Sequence, residues 1–169
     1  GLGIDYQSPQ EHPIANFKAY FQVFTQHLHL RSDQSLHFEL GRSIVAQCGS
    51  LITQVLYVKQ ATSKQFVIVD AGMTELIRPA LYQAKHKIEN LTAQTTLNNP
   101  QQPLNYATYD VVGPICESSD VFDKAIMLPI TKRGDIIAIR SAGAYGEAMA
   151  STYNCRTLVK GYTDTEVKL

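Results

Sequence analysis

SIVAQCGSLITQVLYVK, Ser43 to Lys59, is the stretch where this chain changes texture. Ser43 stands where a helix N-cap would, and Ile44, Val45, Cys48, Leu51, Ile52 and Val55 keep a helical spacing. The whole stretch satisfies a helix, but its β-branched close, VLYVK, favours a helix followed by a strand.

Downstream, FVIVD (Phe66 to Asp70) and DIIAIRS (Asp135 to Ser141) are continuous apolar runs of strand length, and YATYDVVG and KAIMLPI read as shorter strands. Turn signals separate them: Ala61 to Lys64, Asn98–Asn99–Pro100, Pro103, Gly113–Pro114 and Arg133–Gly134–Asp135. Short strands punctuated in this way point to an antiparallel barrel or sandwich, interrupted by one helix around Arg78 to His86.

Upstream the pattern is different. GLGIDY reads as a strand end running into a glycine-containing loop. From Pro13, apolar residues at Ile14, Phe17, Tyr20, Phe21, Phe24 and Leu28 mark an amphipathic helix with proline near its first turn. SLHFE (Ser35 to Glu39) alternates like a short strand. The expected fold is mainly β with some α: strand and helix units over residues 1–50, then a β domain over 51–169.

Composition narrows the function. Fifteen basic and fifteen acidic side chains cancel, so no global field attracts nucleic acid or an anionic membrane. No apolar run reaches the eighteen residues a membrane helix needs. Cys48, Cys116 and Cys155 are odd in number and far apart, with no CxxC or His-paired spacing. That argues against a zinc site or a disulfide framework, so no metal is expected and a cytoplasmic location is the default. The start, GLGIDYQSPQEH, lacks both a signal-peptide pattern and an initiator Met, as a processed chain or a piece of a longer one would.

Four segments carry chemistry. Glu39–Leu40–Gly41–Arg42 places opposite charges at the end of a strand and the mouth of a helix, as a ligand site or a loop ion pair would. In VDAGMTELIRPALY (Val69 to Tyr82), Asp70, Gly72 and Thr74 form a polar turn. Arg78 and Tyr82, four apart, share a helix face that can grip a carboxylate or simply meet solvent. In RSAGAYGEAMASTYN (Arg140 to Asn154), Gly143 and Gly146 bracket Tyr145, as for close approach to a ligand or a tight crossing of packed elements. Finally, YDVVGPICESSDVF (Tyr109 to Phe122) contains Cys116–Glu117. A lone Cys is commonly a small buried hydrophobe, but Glu117, Ser118, Ser119 and Asp120 are poor company for a core.

Taken together and in order, GLGIDY, ELGR, FVIVDAGMTELIRPALY, YDVVGPICESSDVF and RSAGAYG resemble the C-terminal half of the diaminopimelate decarboxylase family, fold-type III enzymes dependent on pyridoxal 5'-phosphate. One motif departs: Leu40 stands where the family usually has proline. The resemblance implies a (β/α)8 barrel followed by a β-barrel domain, with residues 1–50 the terminal part of the first and 51–169 the second. It implies that Gly1 and Gly3 end a phosphate-binding glycine loop, and that Glu39 faces the cofactor ring nitrogen with Tyr145 close by. It implies Arg42, Arg78 and Tyr82 as a carboxylate clamp and Glu117 as the substrate's ammonium partner. Cys116 becomes a proton donor offered to the site of a second subunit in a homodimer. The implied reaction converts meso-2,6-diaminopimelate to L-lysine and CO2. The family's Schiff-base lysine matches none in this chain, which alone is expected to be inactive. A related decarboxylase of another diamino acid, or a non-catalytic ligand-binding or oligomerisation barrel, are the alternative readings.

Overall fold

The computed structural model describes residues 1–95 and 105–163. The turn signals at Asn98–Asn99–Pro100 and Pro103 lie outside the described residues. Helix α1 spans Phe17–His27. It begins later than Pro13 because Asn16 is the cap, its side chain accepting the Ala19 N–H at 2.9 Å. None of its residues is buried; Tyr20, Phe21 and Phe24 pack edge-on against Phe38, with ring centroids 4.9–5.9 Å apart.

SLHFE, which contains Phe38, does not form the expected strand. Alternation supplies the two faces of a strand but not the neighbour that its N–H and C=O groups require, and no described strand runs beside it. GLGIDY is likewise not a strand. Its Asp5 carboxylate folds the chain back by accepting Gln7 and Ser8 N–H at 2.8 and 2.9 Å.

The pivotal stretch divides as its residues favour. Helix α2 (Gly41–Val45) and a 3-10 turn (Ala46–Cys48) give way to strand β1 (Ser50–Gln60). Ser43 is not the cap: it lies inside α2, with its Oγ donating to Leu40 O at 2.8 Å. Strands β2 (Gln65–Val69), β3 (Ile88–Asn90), β4 (Tyr106–Val112), β5 (Val121–Pro129) and β6 (Ile136–Arg140) complete a six-stranded sheet in the order β3-β6-β1-β2-β4-β5.

β1 serves two partners. Its first half pairs with β6 (Ser50 opposite Arg140) and its second half with β2 (Val55 opposite Val69), with a bulge between Val55 and Tyr57 where it turns. All pairs are antiparallel except β2 with β4. The connection between those two is long, running through α3 (Arg78–Tyr82), β3 and α4 (Leu91–Thr95), as a parallel pair requires. The outer strands β3 and β5 approach each other, and buried Asn90 donates to Thr131 Oγ1 and Asp135 Oδ2 at 3.1 and 2.9 Å. The sheet is therefore a nearly closed barrel around Val55, Val67, Leu76, Val111, Phe122 and Ile137.

Helix α3 is shorter than its expected reach to His86. Gln83 adopts a left-handed φ of 53°, which stops the helix after Tyr82. No described helix is long and apolar enough to cross a membrane.

Candidate functional site

The turn after β2 is the frame from which the site is built. Asp70 Oδ1 accepts the Thr53 hydroxyl and the Gln54 N–H, and Glu75, itself buried, caps the turn by accepting Gly72 N–H at 2.7 Å. Arg156 reaches back from the C-terminal segment to donate to Glu75 Oε1 at 3.2 Å and to Asp70 O at 2.6 Å. This turn opens α3, and the first residue of α3 is Arg78.

Arg78 is only 5% exposed, yet its guanidinium has no hydrogen bond and no carboxylate partner among the described residues; its Nε is buried and unpaired. Three aromatic faces hold it instead. Its central carbon lies 5.4 Å from the Tyr6 ring, 5.7 Å from Tyr82 and 5.6 Å from Tyr145. Arg42 stands over the Tyr145 ring as well, at 5.7 Å. Arg42, Arg78, Tyr82 and Tyr145, four residues singled out from the sequence, thus form one cluster of two cations and three rings with Tyr6. A buried cation without an anion is costly unless one arrives from outside, and a planar guanidinium receives a carboxylate through two parallel donors.

Tyr6 is a member that sequence reasoning missed. Its hydroxyl is buried and unpaired, and its ring meets His86 edge-on at 4.8 Å between centroids. His86 Nδ1 donates to Arg140 O at 2.8 Å. Burial lowers the His86 pKa, the hydrogen bond to Arg140 O opposes that, and the Arg78 charge lowers it further. The only sequence signal for Tyr6 was an aromatic beside the opening glycines, because its partners are over seventy residues away.

Tyr145 owes its place to a backbone crossing. A Cβ on Gly143 would stand 2.1 Å from Val45 O and 2.8 Å from Gly49 N, so only glycine lets the segment after β6 cross the stretch between α2 and β1 there. Ala142 N–H and Gly143 N–H bond Gly49 O and Ala46 O across that contact, both at 2.9 Å. The glycines of this segment therefore serve packing, while Tyr145, at a φ of 67°, faces the arginines.

Cys116 and Glu117 are exposed on the loop between β4 and β5. No hydrogen bond, ion pair or ring contact among the described residues joins them to the arginine cluster; Glu117 Oε1 accepts only from Ser118 and Ser119, at 3.4 Å. Gly1 and Glu39 are exposed, and among the described residues no hydrogen bond, ion pair or ring contact joins either to the cluster. Among the described residues no group of three His, Cys, Asp or Glu side chains could hold a metal ion. Nor does any lysine ammonium among the described residues bond to or stack on the cluster: Lys64 pairs with Asp110, Lys85 with Asp123, and Lys160 stands over Tyr162.

Residues 14–143 match the family described as pyridoxal-dependent decarboxylase, C-terminal sheet domain. The chain is 62% identical over 167 residues to diaminopimelate decarboxylase from Bacteroides thetaiotaomicron, covering 99% of this chain and 41% of that protein. It is 43% identical over 173 residues to the enzyme of the same name from Pseudomonas aeruginosa, covering 99% of this chain and 39% of that one. Among solved structures it is similar to diaminopimelate decarboxylase from Helicobacter pylori complexed with L-lysine. The TM-score there is 0.72 at 45% identity, over 92% of this chain and 36% of that chain. The chain thus spans about two fifths of the length of the curated relatives it matches.

Proposed function

Because the chain belongs to the pyridoxal-dependent decarboxylase C-terminal sheet domain family, we propose that it is part of a decarboxylase that converts meso-2,6-diaminopimelate to L-lysine and CO2. The reading extends to a cytoplasmic homodimer, consistent with three unpaired cysteines. Residues 1–50 are then the end of a (β/α)8 barrel and residues 51–169 the β-barrel domain. The observation that carries the proposal is Arg78, buried against three tyrosine rings with no anionic partner among the described residues.

The donor set fits the substrate better than it fits a metal or a nucleic acid. Diaminopimelate has two amino-acid ends, and only one reacts. Arg42 and Arg78 would bind the carboxylate of the other end, with Tyr82 closing the clamp, and Glu117 would accept its ammonium. Their charges are complementary to a zwitterion, so the clamp orients the substrate rather than merely attracting it.

The residues also fit pyridoxal phosphate in part. Glu39 would face the ring nitrogen, Tyr145 would lie along the cofactor, and backbone amides near Gly1 would meet the phosphate. Among the described residues the cluster offers no lysine for covalent attachment, and the chain alone is expected to be inactive. Pyridoxal phosphate, when bound, supplies the sink for the electron pair left at Cα as CO2 departs. Cys116 Sγ would deliver the proton that this carbon then needs. Since Cys116 and Glu117 do not meet the arginine cluster within one chain, a second copy supplying them is the consistent arrangement.

The test uses the full-length protein. It should release CO2 from meso-diaminopimelate, and Cys116→Ala should lower kcat far more than it raises KM. Release from ornithine or arginine but not from diaminopimelate would sink the substrate assignment.

A further inference from the structure

Asp120 is 3% exposed at the close of the loop that carries Cys116 and Glu117. Its two carboxylate oxygens do different work. Oδ2 accepts the Ile115 N–H at 2.8 Å, immediately before Cys116, and Oδ1 accepts the Met73 N–H at 2.6 Å, in the turn that opens α3. Its backbone closes the same loop, its carbonyl accepting Gly113 N–H at 3.0 Å and its N–H donating to Glu117 O at 3.1 Å. Two glycines leave room for it: a Cβ would come within 2.3 Å of the carboxylate at Gly113 and within 3.0 Å at Gly72.

We propose that Asp120 is a positioning residue which fixes the Cys116–Glu117 loop to the turn carrying Arg78, so that one buried carboxylate sets where both functional segments stand. The functional part of this statement rests on the decarboxylase reading; the structural part does not. Among the described residues the loop's other ties to this turn are weaker: the Ile115 side chain packs beside Gly72, and the Ser119 hydroxyl lies 3.8 Å from Met73 Sδ. An ionised carboxylate accepts through both oxygens, whereas an amide presents one acceptor and one donor, so Asn cannot serve both N–H groups. Burial, the largest influence, raises the Asp120 pKa, with Glu75 acting in the same direction; the two N–H bonds and Arg156 lower it.

The experiment compares full-length wild type with Asp120→Asn, reading iodoacetamide labelling of each cysteine by peptide mass spectrometry. Cys48 and Cys155, also exposed, serve as internal references. The labelling rate of Cys116 should change at least roughly threefold while the references hold. In the same variant kcat should fall roughly 10- to 100-fold, the scale of a misplaced reacting group, with a smaller rise in KM through Glu117. Wild-type labelling of Cys116 together with wild-type kcat overturns the proposal. If labelling shifts but the wild type releases no CO2 from diaminopimelate, the positioning role stands and the decarboxylase reading fails. If Asp120→Asn does not fold, hydrogen exchange in the wild type decides. The Ile115 and Met73 amides should exchange more slowly than those of Cys116 and Ser118, which have no hydrogen bond among the described residues. Equal rates overturn it.

Discussion

Arg78→Met separates a functional arginine from a structural one. The substitution keeps an unbranched apolar stem and removes the charge. Removing the guanidinium gives up three ring contacts, at 5.4, 5.7 and 5.6 Å, each worth about 2 kcal/mol where desolvated. It also relieves a buried charge and a buried donor, Nε, with no hydrogen-bond partner among the described residues, which together cost several kcal/mol. The two nearly cancel, so stability should stay within about 1 kcal/mol of wild type, or within about 4 °C in melting temperature for a chain of this size. Binding should respond very differently. Two charge-assisted hydrogen bonds to a carboxylate, at about 1.5–3 kcal/mol each, correspond to at least about a hundredfold in KM. The assay pairs thermal melts of the chain with steady-state CO2 release by the full-length protein. A loss above about 3 kcal/mol with unchanged KM would refute the reasoning, because Arg78 would then be a packing residue.

Three further outcomes follow from other contacts. Arg156→Ala leaves the buried Glu75 carboxylate without its cation, and urea unfolding should show a loss of about 3 kcal/mol, at the low end for a broken buried pair. Gly143→Ala drives a Cβ toward Val45 O and Gly49 N, and the same measurement should show about 3 kcal/mol of destabilisation. His86 has a folded pKa below its ordinary 6.5, so the unfolded chain binds the extra proton first. Stability is then fully present above about pH 6.5 and declines as pH falls through the lower folded value. Urea midpoints between about pH 5 and pH 7.5 should show that slope, and His86→Gln should flatten it.

The strands were legible because a buried strand must be apolar on at least one face, and FVIVD, YATYDVVG and DIIAIRS announce themselves by that requirement. The helix-to-strand change in Ser43 to Lys59 was legible for the same reason, since VLYVK suits a pleated surface. SLHFE failed because period-two alternation describes faces and says nothing about a neighbouring strand. The end of α3 failed because nothing in Gln83 alone announces a left-handed residue. Within the site, Arg78 and Tyr82 could be paired by their spacing of four, whereas Tyr6 joins them only through tertiary folding. Asp120 was read merely as polar company for Cys116; that it is buried follows from Gly72 and Gly113 making room, a relation across more than forty residues.

Among the described residues three surfaces are chemically incomplete, and they differ in what would complete them. The groove between α1 and the segment after it is lined by Phe21, Phe24, Leu28, Leu30, Leu36 and Phe38, and needs apolar cover. The Arg42–Arg78 cluster needs an anion, because tyrosine faces attract a cation but cannot neutralise it. The Cys116–Glu117 loop needs something to act on, and its ties to Asp120 keep it from swinging to the cluster of its own chain without breaking two N–H bonds. Apolar cover cannot neutralise Arg78, and a small zwitterion cannot cover the aromatic groove. Under the decarboxylase reading the three needs resolve separately: the rest of the barrel meets the groove, the substrate carboxylate meets the arginines, and a second subunit's site meets the thiol. A stand-alone binding barrel would explain the arginines, but would leave both the aromatic groove and the exposed cysteine without a role.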